Sequence, residues 1–278
     1  MSQILDLNVW IVLPEVIVSI MACIILIVSV VMPEKRVKNL SFGLTISTLL
    51  LAAISVVASW SYGSVSGLYG LAIQDRVSDI TKLAICLITP IVLIYGRSYF
   101  EKRNLLSGEL LTLMLLATVG MMVMVSSNHL ITIYIGIELM SLCLYALIAL
   151  YRDSVEATES AMKYFVLGAL ASGILLYGMS LLYGLTGSLE LAEIQKSVVV
   201  MERQDLPVLI ALILVIVGLL FKLGVAPFHM WVPDVYEGSP TPITAFLSSV
   251  TKIAAFVVIF RLVAISLGHL IDAWQDML

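Results

Sequence analysis

Apolar runs of about twenty residues, cut by short polar segments, set the pattern of this chain. A helix needs about 20 predominantly apolar residues to cross a hydrocarbon core. That length is met near 10–32, 40–60, 79–96, 108–127, 129–150, 158–184, 206–231 and 243–267. The pattern therefore predicts an all-α, polytopic transmembrane helical bundle of about eight spans. The third span is the weakest, because its start, Asp75 to Lys82 (DRVSDITK), is polar. The seventh carries Pro227 before its end, which predicts a discontinuous helix at about 206–231. Met1 to Trp10 holds Asp6 and no positively charged n-region, so the first span is expected to be retained rather than cleaved as a signal.

Composition sharpens this. With 61% apolar and 12% charged residues and a mean hydropathy of +1.09, the 278-residue chain has too little polar surface for a water-soluble globule, and the lipid bilayer is its first partner. The net charge of −4 includes no basic run that could neutralise a phosphate backbone, which argues against a nucleic-acid partner. Lys35, Arg36 and Lys38, then Arg97, Lys102 and Arg103, then Arg152 follow odd-numbered spans; the opposite side holds mainly Arg76, Lys196 and Arg203, with Arg261 near the end of span eight. The positive-inside rule places the first set in the cytoplasm and the N-terminus outside. Cys23, Cys86 and Cys143 lie singly in apolar runs and read as packing residues.

Soluble-enzyme chemistry finds only partial motifs. Ser160 to Lys163 spells SxxK without the partner motifs of acyl transfer. Gly168, Ala169, Ala171, Ser172 and Gly173 read as small residues that let another helix approach closely. No dinucleotide fingerprint, haem-ligating pair or metal-binding helix appears, so no redox centre, cofactor or metal is expected in this chain.

Four ionisable residues fall at membrane depth: Glu138, Lys163, Lys222 and Lys252. Each central charge costs about 2.5–3.5 kcal/mol on insertion scales, so they imply partners, internal water or deprotonation. Glu138 shares a helical stripe with Tyr134 and Ser141. Plainer readings exist: Lys163 could pair with Glu159 at the interface, Lys222 could snorkel, and a buried Glu–Lys pair could fix helix register without chemistry. His229, just after Pro227, could pass protons or simply hydrogen-bond freed carbonyls. His129 and His269 sit at helix ends and receive no role. Gly224 and Pro227 should open the backbone, and the opened backbone with its water should give Lys222 a polar setting. Titratable groups at mid-depth beside an interrupted helix are how ion and proton pathways are commonly built.

The stretch IELMSLCLYALIALYRDSVEATESAMKYFVLGALASGILLYGMSLLYGLTGS, followed by GLLFKLGVAPFHMWVPDVYEGSPTPITAFLSSVTKIAAF, resembles the antiporter-like membrane subunits of bacterial proton-translocating NADH:quinone oxidoreductase (respiratory complex I). The likeness runs from about residue 10 to 267, and PDVYEGSPTPITAFLSSVTK is similar to subunit N more than to its paralogues. The resemblance implies a proton relay through Glu138, Lys163, Lys222, His229 and Lys252. It also implies that NADH, FMN, iron–sulfur clusters and quinone are used by other subunits, that other membrane-arm subunits of complex I are partners, and that the chain lies in the bacterial inner membrane. It divides the chain into N-terminal helices 1–3 (1–107), a first inverted repeat of helices 4–8 (108–267) and a tail (268–278). Family members carry about fourteen helices, so a second repeat, with its lysine and exit path, is expected beyond what this sequence holds. The competing readings are a subunit of a cation/proton (Na+/H+) antiporter, and a membrane scaffold whose charges only fix packing.

Overall fold

A computed structural model describes residues 8–32, 34–60, 63–200 and 206–268 of the chain. The side chains of Lys35 and Arg36, together with Arg203, His269 and the tail beyond residue 268, lie outside the described residues. Eight helical segments among the described residues are long and apolar enough to cross a membrane. The helices are α1 (Leu13–Val31), α2 (Glu34–Ala58), α3 (Arg76–Lys102), α4 (Gly108–Val125), α5 (Leu130–Ala149), α6 (Val155–Thr186), α7 (Leu191–Val200), α8 (Leu206–Leu223), α9 (Val232–Gly238), α10 (Thr241–Ser248) and α11 (Val250–Ile259). The all-α expectation holds apart from one small hairpin, β1 (Val65–Gly67) paired antiparallel with β2 (Ala72–Gln74) in the register Ser66↔Ile73.

α4 is the centre of the bundle. It packs against α1, α2, α3, α5 and α11, and Leu110, Leu111, Met114, Leu115, Met121 and Met122 are buried around its circumference. A helix apolar on all sides is suited to that place. Close approach, rather than hydrophobic sorting, joins helices in lipid. At the α4–α5 crossing a Cβ on Gly120 would stand 2.7 Å from the Gly136 carbonyl, and one on Gly136 would stand 2.8 Å from the Gly120 carbonyl. α6 and α8 meet in the same way, with Gly218 against Leu175 and Gly178 against Val215. Only part of the expected small-residue stripe on α6 serves this purpose. Gly168, Ala171 and Ser172 are buried, while Ala169 and Gly173 face outward.

Helix ends follow capping chemistry rather than hydropathy. α3 begins at a capping box in which Asp75 Oδ1 accepts from the Ser78 amide at 2.7 Å and the Asp75 amide donates to Ser78 Oγ at 2.9 Å. The polar start of the third span therefore lies inside the helix, with Ser78, Asp79 and Lys82 all buried, and the span runs 76–102 instead of 79–96. Ser154 caps α6, extending that span to 155–186, and Gly187, at φ 70°, closes it.

Spans seven and eight differ most from expectation. α8 stops at Leu223, four residues before Pro227, because Gly224 adopts φ 71° and its amide bonds back to Phe221 O at 3.0 Å while the Val225 amide bonds to Leu220 O at 3.2 Å. That is a Schellman ending, set by glycine rather than by proline. Span eight is also interrupted, at Ser249 (φ −110°, ψ −77°), and α11 passes into a π-helical turn at Phe260–Ser266. α7, unforeseen from hydropathy, buries Leu191, Ile194 and Val198 along one face.

Candidate proton site

The polar stripe of α5 brings Glu138 and Ser141 to the α8 side of the bundle. Lys222, 8% exposed in the last turn of α8, donates from Nζ to Ser141 Oγ at 2.8 Å, and Ser141 donates onward to the Ile137 carbonyl at 2.7 Å. Glu138, one turn before Ser141, is half-buried and makes no contact ion pair with Lys222; its Oε1 is buried without a hydrogen-bond partner. A buried unsatisfied carboxylate oxygen is costly and marks a position where a proton or water would be held.

The interrupted end of α8 has a different role from the one its sequence suggests. Its freed carbonyls are taken by protein donors: Leu220 O by the Gly224 and Val225 amides, Phe221 O by the Gly224 amide and by Trp231 Nε1 at 3.0 Å, and Lys222 O by Lys252 Nζ at 3.1 Å. Lys222 thus owes its polar setting to Ser141, and the break instead seats Lys252. The Lys252 ammonium meets the negative end of the α8 dipole and lies 4.7 Å from the centroid of the Trp231 ring. Gly224 leaves room for it, since a Cβ there would lie 3.3 Å from Lys252 Nζ.

Lys163 is not in this row. Its side chain is 44% exposed and pairs with Glu159 at 2.8 Å and Asp234 at 2.6 Å. The pair opens on a cavity of about 330 Å³ lined by Glu156, Glu159, Ser160, Lys163, Asp234 and Glu237. The next residue, Tyr164, is buried, stacks on Trp231 at 4.6 Å and meets Tyr145 edge-on at 4.7 Å, so an aromatic layer separates the exposed lysine from the buried pair. His229 is exposed in the turn before α9, and its side chain bonds to none of the described residues. The structure therefore gathers Glu138, Lys222 and Lys252, with Ser141 among them, and leaves Lys163 and His229 apart.

Sequence reasoning missed a second buried ionic group. Lys82, 2% exposed, pairs with Glu15 at 2.6 Å and donates to Ile11 O at 3.2 Å, while Ser126 Oγ reaches Glu15 at 3.3 Å. Beside it, Arg261 pairs with Asp75 at 2.6 Å. The available signal was the set of charges inside spans one, three and eight, which the cost of intramembrane charge singles out. Among the described residues no group of three His, Cys, Asp or Glu side chains is placed to hold a metal ion.

Residues 127–278 match the family model described as NADH:quinone oxidoreductase/Mrp antiporter, transmembrane. The chain belongs to this family. NADH-quinone oxidoreductase subunit N of Thiobacillus denitrificans is 49% identical to this chain over 268 residues, covering 96% of this chain and 55% of that protein. A chain of respiratory complex I from Thermus thermophilus superposes with a TM-score of 0.74 at 32% identity, covering 90% of this chain and 53% of that one. The Mrp complex from Dietzia shares the fold alone, with a TM-score of 0.72 at 22% identity over 93% of this chain and 49% of that one. The chain spans about half the length of the curated relatives it matches.

Proposed function

We propose that the chain is the proton-conducting part of a membrane-arm subunit of NADH:quinone oxidoreductase, in the inner membrane, with its N-terminus on the outer face and α4–α11 forming the first of two inverted repeats. The observation that carries this is the row of buried Lys222 on buried Ser141, with half-buried Glu138 one turn away and half-buried Lys252 on the Lys222 carbonyl. A proton leaving the Lys222 ammonium has Ser141 Oγ as its first acceptor. Ser141, releasing its own proton from the Ile137 carbonyl, can pass it toward the unpartnered Glu138 Oε1. Lys252, fixed on the carbonyl of the same residue, supplies the positive charge that biases the proton's residence. Glu138, Lys222 and Lys252 form the relay itself, while Lys163 and His229, both exposed, serve as surface stations where protons enter or leave.

No redox centre is proposed in this chain; NADH, FMN, iron–sulfur clusters and quinone belong to other subunits of the complex. The test is Lys222→Met in the full-length subunit of an assembled complex in vesicles. NADH oxidation that continues while proton uptake falls supports the reading, and an unchanged ratio of protons to NADH defeats it. The family description also covers Mrp antiporters, and that reading instead predicts proton flux driven by a sodium gradient without NADH.

A further inference from the structure

The helix that carries Lys252 is anchored at its other end by a residue with no part in the relay. α11 is a regular rod of ten residues between two irregularities, Ser249 at one end and the π-helical turn Phe260–Ser266 at the other. π-helical turns interrupt the regular i→i−4 ladder and occur frequently at functional sites. Lys252 holds the first end of the rod to the α8 carbonyl. Arg261, 4% exposed in the π turn, holds the second: its Nε donates to the Val125 carbonyl at 2.8 Å and its Nη2 to Asp75 Oδ1 at 2.6 Å. Val125 ends α4, where carbonyls lack helical partners and a cation is favoured, and Asp75 caps α3.

The anchor sits on the N-terminal helices. Ser126, next to Val125, contacts Glu15 of α1, which is paired with Lys82 of α3, and the Ser126 carbonyl accepts the Ile73 amide of β2 at 2.7 Å. One guanidinium thus joins the end of α11 to the network that binds α1, α3, α4 and the hairpin. Lys252 and Arg261 are nine residues apart, roughly 13 Å along a helix, so a displacement of the anchored end is carried along the rod to the amine.

We propose that Arg261 is a positioning residue for Lys252: α11 is a rod jointed at both ends, and its Arg261 anchor couples the N-terminal helices to the Lys222–Lys252 pair. The inference rests on the relay reading above. Arginine suits the task because its planar fork serves two acceptors in different directions, and a lysine there could keep the charge but not both bonds in fixed geometry.

The experiment compares Arg261→Gln, Arg261→Lys and Lys222→Met in the full-length subunit of the assembled complex in vesicles, reading assembly, NADH oxidation and protons moved per NADH. In assembled Arg261→Gln, NADH oxidation should persist while protons per NADH fall by about twofold or more, with Arg261→Lys between it and the parent. A residue that only supports folding would lower the amount of complex and leave the ratio alone. A parental ratio in Arg261→Gln beside a lowered ratio in Lys222→Met overturns the proposal and spares the relay. A parental ratio in both defeats the relay instead. Should Arg261→Gln fail to assemble, Asp75→Asn keeps the arginine on the Val125 carbonyl and loosens one side of the anchor, and an unchanged ratio there overturns the proposal.

Discussion

Lys252 Nζ lies 3.1 Å from the backbone carbonyl of Lys222, so the buried lysine and the half-buried one are joined through main chain while their amines point to different partners. Lys252→Met removes both a charge and the ammonium that donates to that carbonyl. A buried carbonyl left unsatisfied costs about 1–3 kcal/mol, so the variant should lower the thermal midpoint of the chain in detergent as well as change its chemistry. Trp231→Phe separates the two effects. It drops one of the two bonds to Phe221 O, which keeps the Gly224 amide, and retains a ring near the ammonium, so it should lower the midpoint less than Lys252→Met while leaving the charge in place.

Ser141 is the acceptor that holds Lys222, and its removal should be felt more by coupling than by folding. Ser141→Ala leaves a fully packed α5 but no hydroxyl between Lys222 and Glu138. The amine is then free to turn toward Glu138, whose Oε1, one turn from Ser141, is buried without a partner. Proton movement per NADH should fall in the assembled complex, and Ser141→Thr, which restores a hydroxyl, should recover part of it. Equal ratios for alanine and the parent would show that the serine only fills space.

The Arg261–Asp75 pair sets an acid limit. Burial acts to raise the Asp75 carboxyl, but hydrogen bonds from Arg261 and Ser78 and the arginine's charge outweigh it and hold the carboxyl below its ordinary value of 3.8. A carboxyl depressed in the folded state contributes stability that is complete above the unfolded value and disappears as pH falls through the folded one. The contribution should therefore be constant at neutral pH and begin to fade only near and below pH 3.8. Thermal midpoints of the parent and Asp75→Asn, measured from neutral to strongly acid pH, should converge in that acid range; curves that stay parallel would remove the pair from the account.

The eight spans were legible because a hydrocarbon core imposes one length on every crossing. Glu138, Lys222 and Lys252 were legible because charge at that depth is costly enough to stand out. What composition could not carry was partner choice. Lys82 was hidden by a helix start that looks too polar to enter a membrane, and it is tolerated there because Glu15, sixty-seven positions earlier, meets it across the bundle. Pro227 drew attention to the break in span seven, yet Gly224 makes the turn, since a positive φ is invisible until the chain is folded. Lys163 looked like a third buried lysine because its helix is apolar around it, and only the return of Asp234 on α9 shows that it faces outward.

Two glycines on neighbouring helices offer the clearest separation of packing from propensity. Gly120 on α4 has the Gly136 carbonyl and the Met140 amide 2.7 Å from where its Cβ would be, both of them backbone atoms that a rotamer change cannot move. Gly120→Ala must push α5 away from α4, and overpacking of this kind costs about 1–3 kcal/mol. Gly173 on α6 has no heavy atom within 4 Å of that position, so Gly173→Ala gains helix propensity, about 0.8–1.0 kcal/mol, against no clash. The thermal midpoint should fall for the first and hold or rise for the second. The consequence reaches the site as well, because Gly136 stands two residues before Glu138 on the helix that would be displaced. In an assembled complex Gly120→Ala should therefore reduce protons moved per NADH, and Gly173→Ala should leave the ratio unchanged. A Gly120→Ala variant with the parental midpoint would mean that the α4–α5 contact is looser than a 2.7 Å approach implies.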